Sequence, residues 1–319
     1  MIHYLTEKDV QQVLNMDILL QTTEQSLKDR ALHQAIDIAR QRIYTPEGTQ
    51  HVLQASSKAI GYTGFKFYYT RPTGKSFYVN LISIETGKLV AMVEAIWMSM
   101  VRTGAASGAA TKYLANDDAS IVGQIGSGFQ SIGQLEAVCA VRKIKEARVF
   151  SRTRDKLEAY CKKMTEKLGL PVMPAASAEA AVRGAHILNV ITKSAKPTIN
   201  GEWLTPGVHI NAAGSNALSR AEIDDATVKR CNLITVDSRG TAQKECGDLV
   251  SSAEKGVIQW EYLTEIGDVF AGKAKGRTSR DQITLYESHG MGIQDLYGAA
   301  KALELAKARG LGVELPVGL

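Results

Sequence analysis

The chain is poor in cysteine and histidine and arranges neither in a chemical pattern. Cys139, Cys161, Cys231 and Cys246 stand far apart, without a CxxC pair or a Cys/His ligand spacing. They read as reduced thiols of a cytosolic protein, not as a disulfide framework. The six histidines are dispersed with no HxxxH pair, so no metal site is expected. Lys plus Arg outnumber Asp plus Glu by only 38 to 33 and never gather in a block. That argues against a nucleic-acid partner and leaves an anionic small molecule open as a ligand. No basic segment leading into an apolar core opens the chain, so no secretory signal is expected. The longest apolar stretch, Leu89 to Val101, is interrupted by Glu94 and falls well short of the roughly 20 residues that span a bilayer. The expectation is a cytoplasmic protein with no membrane partner.

What is present is the composition of a globular protein, 319 residues with 45% hydrophobic and 22% charged, and the length favours two domains, each with its own core. Thr6 and Asp9 form a helix-capping pattern before Val10, Val13 and Leu14. A second helix is expected over about Asp17 to Ala39, with Leu20, Thr23, Leu27 and Ala31 on one stripe. From Arg42 to Glu94, segments rich in Val, Ile, Tyr and Phe alternate with turn signals such as Pro72-Thr73-Gly74, which predicts an antiparallel meander whose clearest hairpin is Ile84 to Lys88. A small-residue helix, Arg102 to Leu114, follows. Beyond Asn116 the style changes: continuous apolar runs at 119–125, 147–151, 187–191, 209–213 and 233–236 alternate with helical stretches. This is the signature of a parallel sheet covered on both faces. The fold class is therefore α/β, a doubly wound Rossmann domain over 115–292 beside an α+β substrate-binding and dimerisation domain over 1–114, joined by the C-terminal segment 293–319.

The strongest chemical signal is Gly126-Ser127-Gly128-Phe129-Gln130-Ser131, set between an apolar run and a helix-forming stretch. Gly126 and Gly128 allow a tight turn and close approach to a pyrophosphate, while Phe129 and Gln130 open the helix whose N-terminus favours its charge; Ser131 replaces the third glycine of the pattern. The next run ends in Ser151-Arg152-Thr153 with no carboxylate for a ribose 2′-hydroxyl. Those three residues suit a 2′-phosphate, which favours NADP(H) over NAD(H); the competing reading has Arg152 simply solvated.

A second signal, Val101-Arg102-Thr103-Gly104-Ala105-Ala106-Ser107-Gly108, resembles the signature of the ornithine cyclodeaminase/mu-crystallin family. The similarity extends to the Gly126 loop, to Ile210–Asn216 and to Ser288-His289-Gly290. The resemblance implies a homodimer built through the antiparallel segments, a cleft between two domains, and hydride exchange between nicotinamide and the α-carbon of an amino or imino acid. It assigns Arg42, Lys66 and Arg102 to the substrate carboxylate, for which a planar guanidinium is well suited. It also adds Thr103, Thr192 and Gly290 to the cofactor-binding set. For Gly104 and Gly108, tight helix packing is an equal alternative to cofactor approach, and His289 has a surface role as its alternative to proton donation.

The chain departs from the cyclodeaminase pattern at Asn216. Those enzymes resemble one another in an aspartate there, followed by a Cys-Pro-Gly-Lys-like run, whereas this chain continues Ala217-Leu218-Ser219-Arg220. An amide orients a nitrogen but takes no proton from it. The expectation is thus an NAD(P)H-dependent imino-acid reductase or amino-acid dehydrogenase, with Lys66 and Asn216 as catalytic residues. Two alternatives remain open: a cyclodeaminase-type lyase that retains NAD, and a non-catalytic dinucleotide- or ligand-binding protein.

Overall fold

The structure, a computed structural model, describes residues 1–316; of the expected segment 293–319, residues 317–319 lie outside the described residues. The chain divides into two compact units, one of Met1–Arg102 with the segment from Met291 onward, the other of Thr103–Gly290. The helix that ends at the expected boundary, Ile96–Leu114, runs across the division between these units.

The first unit begins with β1 (Ile2–Leu5), α1 (Glu7–Val13) and α2 (Met16–Ala31). It continues through the meander β2 (Ala35–Thr45), β3 (Gly48–Ser57), β4 (Tyr62–Arg71), β5 (Gly74–Ser83) and β6 (Leu89–Glu94), and then enters α3 (Ile96–Leu114). The capping pattern at Thr6 and Asp9 is a formed capping box. The helix expected to reach Ala39 stops at Ala31. His33 adopts a left-handed φ of 59°, and from Ala35 the exposure pattern has the alternation of a strand. The apolar stretch from Leu89 likewise divides into β6 and the first turns of α3. Glu7 accepts hydrogen bonds from the Ile96 and Trp97 N–H groups, a negative charge where the helix end favours one. Glu94 accepts from Tyr4 Oη and Glu7 N, each at 2.7 Å, so it anchors the entry to this helix.

The second unit runs β7 (Ile121–Ile125), α4 (Phe129–Val141), β8 (Glu146–Phe150), α5 (Arg154–Leu168), β9 (Val172–Pro174), α6 (Ala178–Val182) and β10 (Ile187–Val190). It continues with β11 (His209–Ala212), α7 (Asp225–Arg230), β12 (Leu233–Val236), α8 (Arg239–Glu245), α9 (Gly247–Glu254), β13 (Thr264–Glu265), α10 (Ile266–Phe270) and β14 (Thr284–Glu287). The chain then returns to the first unit with α11 (Gly292–Ala308) and β15 (Val313–Leu315).

In the first unit the strand order is β15-β1-β6-β5-β4-β3-β2. α11 lies against β3, β4 and α2, which brings its first turn over the middle of β4. In the second unit all pairings are parallel, in the order β13-β12-β14-β11-β10-β7-β8-β9. The chain winds one way from β7 to β8 and β9 and the other way to β10 and β11, and it is at such a reversal that open sheets of this kind bind ligands. The fold is therefore the α/β class expected, a Rossmann-type parallel sheet together with a separate, largely antiparallel one. β14, in the middle of the parallel sheet, was not among the expected strands.

A polar chain runs through this otherwise apolar sheet. Tyr160 Oη accepts from Gln124 Nε2 (2.7 Å), and Gln124 Oε1 accepts from Asn189 Nδ2 (3.5 Å). Asn189 Oδ1 accepts from Asn211 Nδ2 (3.1 Å), Asn211 Oδ1 meets His209 Nε2 (3.0 Å), and His209 Nδ1 meets Thr284 Oγ1 (3.0 Å). Burial pushes the His209 pKa down to about 3, with Arg277 adding to the effect.

Candidate active site

The glycine loop joins β7 to α4. Gly126 has a φ of +114°, and a Cβ there would fall 2.3 Å from the Ile191 carbonyl oxygen, so both backbone conformation and space require glycine. Gly128 caps α4 without a side-chain hydrogen bond, and a Cβ on it would meet nothing within 4 Å. An open approach to a helix N-terminus results, with Phe129 exposed and Gln130 half-buried in the first turn. Ser131 is buried and donates through Oγ to the Gly128 carbonyl, closing that turn. These features fit the pyrophosphate of a dinucleotide. A Cβ on Gly104 would fall 2.0 Å from the Gly133 carbonyl oxygen, so this glycine serves close contact between the second half of α3 and α4. Thr103, beside it, accepts from Gln134 Nε2 through its carbonyl (3.2 Å).

The loop after β8 holds Ser151 half-buried and Arg152 and Thr153 exposed, with Thr153 capping α5 without a side-chain hydrogen bond. Arg152 forms no ion pair among the described residues. Farther along the strand ends, Glu222 ties two loops together by accepting from Thr192 N and from Gly214 N (2.6 Å). Burial pushes its pKa up to about 7 against the lowering effect of those hydrogen bonds. Asp248 accepts from Glu222 N and Ile223 N (2.6 and 3.1 Å), and burial raises it to about 6. Asp237 accepts from the N–H groups of His289 (2.8 Å) and Gly290 (2.9 Å), fixing Gly290 at a φ of +75°.

His289 is 2% exposed, so it is not a surface histidine. Its ring, Cys246 and Glu287 bring ligand-type atoms within 4.8 Å of one another. Cys246 accepts from Leu249 N and lies 3.7 Å from Glu287 Oε2.

The cationic site is built in the first unit. Lys66 projects from β4 and is 3% exposed. Its Nζ donates to Ser99 Oγ (2.6 Å) and Asp295 Oδ1 (3.0 Å), and it lies 4.9 Å from the centre of the Phe77 ring. Ser99 and Arg102 are one helical turn apart on α3. Arg102 donates through Nε to the same Asp295 oxygen (2.9 Å) and through Nη1 to Gln294 Oε1 (3.0 Å). Burial lowers the Lys66 pKa to about 7; the Asp295 charge opposes that shift, while Arg102 and Arg40 reinforce it. Burial raises Asp295, but Arg102 and Lys66 outweigh it and hold the carboxyl below its usual range.

Of the three cations expected to act together, Lys66 and Arg102 do meet. Arg42 lies half-buried on β2 opposite His51, and the β2 cation whose charge bears on Lys66 is the buried Arg40. A break in register between Ile38 and Gln41 separates these positions from simple alternation. Asn216 is half-buried, and its Oδ1 accepts from Arg220 Nη1 (2.7 Å), so the amide oxygen is engaged by the residue that closes the divergent run. The residues not anticipated are Arg40, Ser99, Glu222, Asp237 and Asp295. For Asp295 there was a signal: a carboxylate on the apolar face of a helix, between Ile293 and Leu296, needs a buried partner.

Known proteins resemble this chain along its length. It is 32% identical over 274 residues to a Δ1-pyrroline-2-carboxylate reductase of Bacillus cereus, covering 83% of this chain and 84% of that one. The structure of Thermococcus litoralis Δ1-pyrroline-2-carboxylate reductase in complex with NADH and L-proline superposes with a TM-score of 0.94 at 30% identity, covering 98% of this chain and all of that one. An archaeal alanine dehydrogenase dimer with bound NAD gives 0.93 at 30% identity, covering 99% of each chain. Residues 3–309 match the model of one family, and the chain belongs to it: the ornithine cyclodeaminase/mu-crystallin family.

Proposed function

We propose that this protein is an NAD(P)H-dependent reductase of an α-imino acid, able to run in reverse as an amino-acid dehydrogenase, with five- and six-membered cyclic imines as its substrate class. The observation that carries this reading is the pair of buried cations, Lys66 and Arg102, gathered on one carboxylate oxygen. Such a pair suits a small carboxylate, and the glycine loop suits a dinucleotide. A nicotinamide dinucleotide, held by Gly126, Gly128 and the N-terminus of α4, would supply or accept hydride. Arg102 and Lys66 hold the substrate carboxylate, with Arg40 or Arg42 as the third cation, and Asn216 orients the nitrogen. A nicotinamide held in this way would supply the hydride that reduces the C=N bond of the protonated imine at Cα. The step needs no base at position 216, where a cyclodeaminase has its aspartate.

NADP(H) is the favoured cofactor because Ser151, Arg152 and Thr153 offer a cation and hydroxyls where a carboxylate would select the ribose 2′-hydroxyl. Thr103, Thr192 and Gly290 complete the cofactor set. A homodimer is supported by the exposed apolar residues of the edge strand β2, Ile36, Ile38, Ile43 and Tyr44, and by the dimeric relative. Ile38→Asp is expected to yield monomers in light scattering.

The test follows nicotinamide absorbance with each cofactor and a panel of cyclic imines, 2-oxo acids with ammonia or methylamine, and ornithine. Oxidation with cyclic imines, faster with NADPH, is expected. Cofactor binding with no absorbance change for any panel member, or ornithine conversion without net cofactor use, would overturn the reading.

A further inference from the structure

Two cations meet a single oxygen in the carboxylate site. Asp295 Oδ1 accepts from Lys66 Nζ and Arg102 Nε at 3.0 and 2.9 Å, while Oδ2 is buried without a hydrogen-bond partner. The carboxylate sits in the first turn of α11, where the helix end favours negative charge, and the turn is closed by Gln294 Oε1 accepting from Met291 N (3.3 Å). Gln294 takes Arg102 Nη1 as well. α11 thus holds Arg102 by its Nε and one Nη, and among the described residues Nη2 makes no hydrogen bond. Lys66 is gripped from two elements, by Ser99 of α3 and Asp295 of α11. The other groups facing it are Arg40 of β2, which opposes its charge, and the rings of Tyr68 and Phe77. Among the described residues, Asp295 is therefore the carboxylate that meets this ammonium directly.

We propose that Asp295 is the positioning residue of the substrate site: its shared oxygen sets the spacing of the Lys66 ammonium and the Arg102 guanidinium, leaving the outer edge of the guanidinium for the substrate carboxylate. The inference rests on the imino-acid reading above. A second consequence is that Asp295 raises the proton affinity of Lys66 against burial and two neighbouring guanidinium groups.

The test is Asp295→Asn in the full chain, with Asp295→Glu as its conservative partner. Steady-state rates with a cyclic imine are measured from pH 5.5 to 9, together with NADPH affinity by fluorescence. For D295N, the imine KM should rise at least tenfold and the alkaline limb of kcat/KM should move at least half a pH unit lower. NADPH affinity should stay within twofold, and D295E should restore the limb. A folded D295N with wild-type KM and an unmoved limb would overturn the proposal. The Lys66 resonance in 13C-lysine NMR, identified with K66R, gives a readout without substrate: its titration midpoint should fall in D295N, and an unchanged midpoint overturns the inference. If D295N does not fold, D295E decides: a changed imine KM with an unmoved limb supports the role, and wild-type KM refutes it. Absence of imine turnover in the wild-type protein would instead defeat the functional reading, leaving the NMR result to judge Asp295.

Discussion

The two units solve opposite electrostatic problems. In the first, buried cations from β4 and α3 are compensated by a carboxylate from α11, so the site exists only where three separate chain segments meet. In the second, the buried carboxylates Glu222, Asp248 and Asp237 are compensated mainly by backbone N–H groups, most of them close in sequence or at adjacent strand ends. A side-chain ion cluster fails when one member is lost, because a charge is left without its partner. An acid held by backbone groups can retain its proton, and its cost varies with pH. The contrast teaches that the buried cation site, a cluster of side-chain charges, is vulnerable to the loss of one member, whereas the loops at the strand ends of the second unit are held through backbone groups.

The largest effect should come from Arg102→Ala. Removing one partner of a buried, hydrogen-bonded charge pair costs about 2–5 kcal/mol, so kcat/KM with a cyclic imine should fall by about 10²–10³-fold while NADPH affinity remains. Wild-type turnover would break the comparison at its first half. Gly126→Ala comes next. Its left-handed φ alone costs about 1–3 kcal/mol in a non-glycine residue, and the contact with the Ile191 carbonyl adds to that; denaturant melts and cofactor titration should show lower stability and weaker dinucleotide binding. Glu222→Gln should have the smallest effect, about 1–3 kcal/mol, because an amide oxygen replaces only part of the acceptor set for Thr192 and Gly214. It also sharpens the pH argument. The folded protein holds the Glu222 proton to about pH 7, above its ordinary value of 4.5. Its stabilising contribution is therefore full below about 4.5 and lost as pH rises through 7. The variant should flatten the stability profile in that window, and an unchanged slope would show that the acid does not titrate there.

Much of this architecture was legible in the residues because its signals are local. The glycine loop, the meander and the alternating apolar runs each declare themselves within a few residues, whereas Lys66 and Arg102 were assigned through the family resemblance. The errors have physical causes. α2 appeared to continue because Ile36 and Ile38 keep an apolar rhythm, but they belong to an edge strand whose outer face is exposed. Arg40 went unnoticed beside Arg42, since its place next to Lys66 follows a break in register that the local pattern does not show. Asp295 stands 229 residues from Lys66 and 193 from Arg102, so its pairing depends on how α11 crosses β4, which no local pattern records.

The amide and imidazole groups threaded through the parallel sheet have a further consequence. Strands as uniformly buried as β7, β10, β11 and β14 would still bring the same faces together after sliding two residues past one another. Such a slip would strand Gln124, Asn189 and Asn211 in hydrocarbon without mates, a heavy penalty for each. The ladder therefore acts as an alignment key: it rejects shifted versions of the sheet and brings the strand tips, with the loops they launch, out at matching heights.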